Sequence, residues 1–156
     1  IPIVYISDIV EYRLANEQLV KRVKEQIIEF QGSKVNLIEY EDHLKRRHKV
    51  IQFYKLHESE TVRFHNIGYD IDLLLDEKRF NTMRNSIEYL KRNGGLLIFL
   101  DNKVISKEQA KEIGIGAQIL KDLGVKSIKL LTTNIEAEFI GLSGFGLDVI
   151  EKIDIS

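Results

Sequence analysis

A chain of 156 residues, 44% hydrophobic and 30% charged, carries enough apolar material for one packed domain. Its formal net charge of -1 gives no overall attraction to nucleic acid or an anionic membrane, and no apolar run is long enough for a membrane-spanning helix. Cysteine is absent, which excludes disulfides, thiolate catalysis and any cysteine-held zinc or iron–sulfur centre.

The chain starts at Ile1 with no charged-then-apolar leader, so it reads as cytoplasmic and as a piece of a longer polypeptide. Ser7 is a good N-cap, and Ile9, Tyr12 and Leu14 give residues 7–17 a short amphipathic pattern. β-like runs follow at 19–30, 34–41 and 48–56, with Gly32-Ser33 as a hairpin signal, and residues 61–65 form a further strand. The first third is therefore expected to be β-rich.

The pattern then changes. Residues 77–92 place Phe80, Met83, Ile87 and Leu90 on one helical face, with Asp76 as cap and Asn93-Gly94 as stop. Residues 95–101 are a continuous apolar run, the mark of a strand buried on both faces. A capping box, Ser106 and Gln109, opens a helix over 106–124 with Ala110, Ile113, Ala117 and Leu120 inward. Strands at 128–132 and 146–155 complete an α/β layer with a mixed sheet.

Gly114-x-Gly116 superficially suggests a phosphate loop. A phosphate loop joins a strand to a helix N-terminus, where N–H groups are free. Here the glycines lie about two turns inside the helical pattern, so close packing against a neighbour is the expected role. His43, His48, His57 and His65 have no i+4 histidine partner and read as scattered surface residues. Asp70, Asp72 and Asp76 read as a solvated acidic loop, and Lys45 to Lys49 as a solvated basic hairpin end. No aromatics interleave that basic stretch, so nucleic acid is not expected as a partner.

As a string, the stretch from Gly114 to Asn134, continued by 141–151, resembles the C-terminal part of GTP cyclohydrolase II, which opens the imidazole ring of GTP in riboflavin synthesis. Residues 61–66 resemble that family's Val-Arg-Val-His-Ser-Glu. Residues 7–22 resemble the junction to 3,4-dihydroxy-2-butanone 4-phosphate synthase in two-domain polypeptides. The resemblance implies a three-layer α/β/α fold with a β-rich N-terminal part. It makes residues 1–18 an inter-domain connector and 19–156 the GTP cyclohydrolase II-like domain. It further implies an N-terminal synthase domain in cis, and a homodimer.

The family holds a catalytic zinc on Cys-x10-Cys-x-Cys. Those places fall here on Gly68, Arg79 and Asn81. The family's Asp-x-Arg-x-Tyr falls on Gln109, Lys111 and Ile113, and its phosphate-facing lysine has no evident counterpart; Glu136 and Glu138 would repel a triphosphate. Of the positions associated with the nucleotide, Arg63, His65 and Thr132 persist. The expectation is a catalytically degenerate domain with no cofactor of its own and a structural or dimerising role; magnesium would belong to the attached synthase. Two alternatives stand beside it: a nucleotide- or flavin-binding regulatory module, and a hydrolase rebuilt around His65 with Asp70 and Asp72.

Overall fold

The computed structural model describes residues 18–54, 57, 59–101, 109–135 and 146–156, the side chains of 109–113 excepted. The connector up to residue 17, Ser106 of the capping box, Glu136, Glu138 and most of 141–146 lie outside these residues. A long hairpin opens the described chain: β1 (Val20–Phe30) and β2 (Ser33–Asp42) pair antiparallel, with Phe30 opposite Ser33. Gln31 and Gly32 form its two-residue turn, both at positive φ (47° and 84°), the geometry that matches strand twist and favours glycine. β3 (Arg47–Gln52) adds to β2.

β4 (Ser59–Asn66) leads through two helices, α1 (Asp70–Leu75) and α2 (Glu77–Asn93), to β5 (Leu96–Leu100). α3 (Gln109–Asp122), β6 (Ser127–Thr132) and β7 (Asp148–Asp154) follow. The strands form one seven-stranded sheet in the order β1-β2-β3-β5-β4-β6-β7. β1, β2, β3 and β5 are successive antiparallel neighbours, whereas β5, β4, β6 and β7 run parallel. The sheet is thus mixed, with β1, β2 and β3 of the first third joined antiparallel to β5 from the middle of the chain.

Each face carries a helix. Leu96, Ile98 and Leu100 of β5 pack with Ile115, Ala117, Ile119 and Leu120 of α3. Leu97 and Phe99 point the other way, towards Met83, Ile87 and Leu90 of α2. This alternation is why the β5 segment reads as unbroken apolar sequence. The fold is α/β in three layers, as expected.

Caps and glycines behave as their chemistry requires. The Asp76 carboxylate accepts from Arg79 N at 3.1 Å, and Gly94 closes α2 with its N–H on Leu90 O at 2.8 Å. Gly116 lies inside α3, and a Cβ there would come within 2.6 Å of the Phe64 ring. The glycine serves close helix–strand packing, and the phosphate-loop reading is set aside.

Three expectations need correction. Residues 70–75 are helical rather than an acidic loop. The run expected at 48–56 ends at Gln52, where Phe53 N turns to Gly95 O at 3.0 Å. The inward stripe of α2 also differs: Phe80 is 36% exposed, while Thr82 and Ser86 are buried. Their hydroxyls donate to the carbonyls of Lys78 (2.9 Å) and Thr82 (2.7 Å), so two small polar residues sit inside at little cost.

Candidate functional site

The chain leaves β4 towards β5 and leaves β6 towards β7, on opposite sides. In an open α/β sheet, such a divergence leaves a crevice at the carboxyl ends of the two strands, the usual place for a ligand. A cleft of about 530 Å³ lies there, lined by Arg63, His65 and Asn66 from β4, Lys78, Arg79, Thr82 and Met83 from α2, and Thr133 just after β6. An adjoining recess of about 150 Å³ shares His65, Arg79 and Met83 and adds Gly68, Asp70, Leu73 and Phe99.

Strand alternation sets the floor. Arg63 and His65 pair with Leu97 and Phe99 and share their face. The half-buried Arg63 donates from Nη1 to Leu131 O at 3.3 Å, and burial holds its guanidinium below the ordinary arginine range. His65 stands edge-on to Phe99, centroids 5.4 Å apart at 72°. Burial, then the charges of Arg63 and Arg79, push its imidazole down to about 4, so it is neutral at pH 7. A neutral imidazole offers one donor and one acceptor. Exposed Lys78 and Arg79 come from the first turn of α2.

The persisting nucleotide positions are only partly assembled. Arg63 and His65 face the cleft. Thr132 is buried, and its hydroxyl is engaged in the turn, accepting from Asn134 N at 3.0 Å. Thr133 lines the cleft in its place. The phosphate-facing lysine implied by the resemblance has no evident counterpart after β6; Lys78 brings a lysine to the cleft from a different element, α2. The available signal was the Lys78-Arg79 pair in the first turn of an amphipathic helix.

The three positions to which the resemblance assigns zinc ligands differ in what they offer a metal. Gly68 has no side chain. Arg79 is a permanent cation lining both cavities. Asn81 lines a separate surface hollow with Asp72, Asp76 and Lys78. Among the described residues no three His, Asp or Glu side chains are grouped to hold a metal. This donor set does not fit zinc. Of the acids considered for a rebuilt site, Asp70 shares the recess with His65, whereas Asp72 lines the separate hollow.

The remaining motifs are structural. Lys45 and Arg47 lie on Glu41, Arg46 on Asp42 and Lys49 on Glu39, at 2.7–3.5 Å, so the basic stretch is neutralised by β2. His48 corrects the surface reading of the histidines, being 1% exposed. Its Nδ1 accepts from Asp101 N at 3.0 Å, which leaves Nε2–H to donate to Asp42 Oδ2 at 2.8 Å.

Comparison with known proteins follows the same lines. Residues 102–154 match the family model of GTP cyclohydrolase II. The segment 65–81, onto which the resemblance alone places the metal-ligand positions, precedes that match. The chain is 41% identical over 151 residues to a 3,4-dihydroxy-2-butanone 4-phosphate synthase of Wolinella succinogenes, covering 97% of this chain and 44% of the relative. It is 42% identical over 154 residues to the protein of that name from Sulfurospirillum multivorans, covering 99% and 43%. The crystal structure of RibBX, a two-domain 3,4-dihydroxy-2-butanone 4-phosphate synthase from A. baumannii, is similar with a TM-score of 0.64 and 26% identity, over 97% of this chain and 44% of that one. The chain therefore spans less than half the length of these relatives. Among the described residues no helix is long and apolar enough to cross a membrane.

Proposed function

We propose that this chain is the GTP cyclohydrolase II-like portion of a two-domain 3,4-dihydroxy-2-butanone 4-phosphate synthase polypeptide of riboflavin biosynthesis. In this reading it does not open the GTP ring. Its role is structural: it supports the synthase domain in cis and contributes to a homodimer in the cytoplasm. Any magnesium belongs to the synthase.

The observation that carries the reading is Arg79. It stands at a position where the resemblance calls for a zinc-ligating thiolate, and a guanidinium repels a divalent cation. Zinc supplies a hydroxide at neutral pH by lowering the pKa of bound water to about 7. With Gly68, Arg79 and Asn81 at the ligand positions, no group of described side chains is placed to hold the metal that would supply such a hydroxide beside neutral His65. The protein incubated with GTP, Mg²⁺ and Zn²⁺ is expected to release neither formate nor pyrophosphate. Turnover that survives repurification to constant specific activity would contradict the proposal.

One observation favours a second reading, a binding module. The cleft is well formed, and its charged side chains among the described residues are all basic: Arg63, Lys78 and Arg79.

A further inference from the structure

We propose that the cleft between the carboxyl ends of β4 and β6 binds the phosphate group of a small phosphate monoester, with the Arg79 guanidinium standing where the resemblance places a metal ligand. The inference rests on the binding-module reading, and gives that module a ligand class and an anchoring residue.

Charge is the first argument. Arg63, Lys78 and Arg79 converge on one cavity, and among the described residues lining it, Ser156 included, no side chain is acidic; Asp70 lies in the adjoining recess, and Asp72, Asp76 and Glu77 share the surface hollow on the other side of Lys78. None of the three has a carboxylate of a described residue within salt-bridge distance. The basic side chains on the hairpin are treated differently. Arg22 lies on Asp122 and Glu25, Arg46 on Asp42 and Arg47 on Glu41. Arg63 is the costly member of the set. Its guanidinium is half-buried, and its polar partner among the described residues is a single long bond to the Leu131 carbonyl. A desolvated cation of this kind is offset by an anion that brings charge and acceptors together.

The ligand's chemistry follows from the donors. Two guanidinium groups present forks that match phosphate oxygens, and Lys78 adds a point charge. Three cations suit a dianion better than a singly charged carboxylate. Neutral His65 and the Thr133 hydroxyl can each donate one further hydrogen bond. The cleft's volume, about 530 Å³, lies within the range of small-ligand sites and exceeds what a bare phosphate needs. Beside Arg79, the recess walls of Leu73, Met83 and Phe99 offer an apolar surface to the organic part of the ester.

This arrangement inverts the ancestral electrostatics implied by the resemblance. A metal held by thiolates activates water. A fixed guanidinium at the same position can only hold an anion. No bond is made or broken at such a site.

The test is calorimetric titration of the full natural polypeptide with inorganic phosphate, ribose 5-phosphate, GMP and riboflavin 5′-phosphate in separate arms. Arg79 is exposed and away from the core, so Arg79→Ala should fold as the parent does. Arg63→Gln probes the floor, and Lys34→Ala, on β2, is the control. At least one ester is expected to show a binding site that weakens about tenfold or more in both cleft variants and stays unchanged in the control. Arg79→Lys should recover part of the loss, because a lysine keeps the charge but not the fork. Equal binding of inorganic phosphate and the esters would assign recognition to the phosphate alone and leave the proposal standing. Titrations that are the same in parent, Arg79→Ala and Arg63→Gln, or that show no binding in any arm, overturn it. Formate release from GTP is a separate readout, so loss of this inference and loss of the proposed function can be told apart.

Discussion

Asp42→Ala is expected to lower stability by about 3–5 kcal/mol, the largest single-residue effect outside the apolar core. The Asp42 side chain is fully buried, and its carboxylate accepts from Leu44 N (2.8 Å), Arg46 N (3.0 Å), Arg46 Nε (2.7 Å) and His48 Nε2 (2.8 Å). These bonds hold the carboxyl below its ordinary range, although burial opposes them. Alanine removes every acceptor at once. It leaves the buried His48 N–H without a partner and the half-buried Arg46 charge uncompensated. Because His48 also accepts from Asp101 N, the β2–β3 turn and the end of β5 should loosen together. Against a total of about 5–15 kcal/mol for an ordinary domain, the variant would be marginal or unfolded at 37 °C. Denaturant unfolding monitored by circular dichroism measures the change. A loss below about 1 kcal/mol would mean that this network does not anchor the turn.

The second large effect is a dependence on pH carried by His65. Its folded value is about 4, against about 6.5 for an unperturbed histidine. Between these values the unfolded chain holds a proton that the folded chain does not. Stability contributed by this residue therefore rises with pH from about 4 to 6.5 and is flat above. The group is half-buried, so the full difference is discounted to about 2 kcal/mol. His65→Gln removes the titration and keeps a polar side chain beside Arg63. Relative to this variant, the parent should lose about 1 kcal/mol on acidification from pH 6.5 to 4.5, the part of that discounted difference that falls within this window. The carboxylates that also titrate, including buried Glu60 with its raised value, are common to both proteins and cancel. Parallel stability curves for parent and variant would show that His65 is not desolvated beside two arginines.

Much of the fold was legible because local chemistry and tertiary packing agree. Asp76 caps α2 as its position before an amphipathic run implies, Gly94 stops it, and the unbroken apolar segment 96–100 is buried on both faces. The failures have physical causes. α1 is a turn and a half in which Ile71, Leu74 and Leu75 point to solvent, so no inward stripe marks it. In α2, periodicity placed Phe80 inward with Met83, Ile87 and Leu90 and gave no signal for Thr82 and Ser86. Back-bonding to the preceding turn lets those two hydroxyl residues be buried beside the apolar stripe.

The candidate site was less legible than the fold. Arg63 and His65 were found, since alternation on one strand puts both on one face. Lys78 and Thr133 were missed because they arrive from other elements, and only the crossing of β4, β6 and α2 brings them together. Thr132 was selected in place of its neighbour: adjacent strand-end residues point to opposite sides, and the turn takes the first of them. The Asp42–His48 pair left no sequence signal at all. Two ionisable residues six positions apart across a charged turn look solvated until the end of β5 closes over them.

The central claim is that a fixed cation has replaced the metal. Zinc content per chain tests it most directly, measured by mass spectrometry on protein grown in zinc-replete medium and dialysed against a weak chelator. The account predicts far less than one zinc per chain, unchanged by Arg79→Ala. One zinc per chain, retained through dialysis and dependent on residues lining the Arg79 cleft, would contradict it.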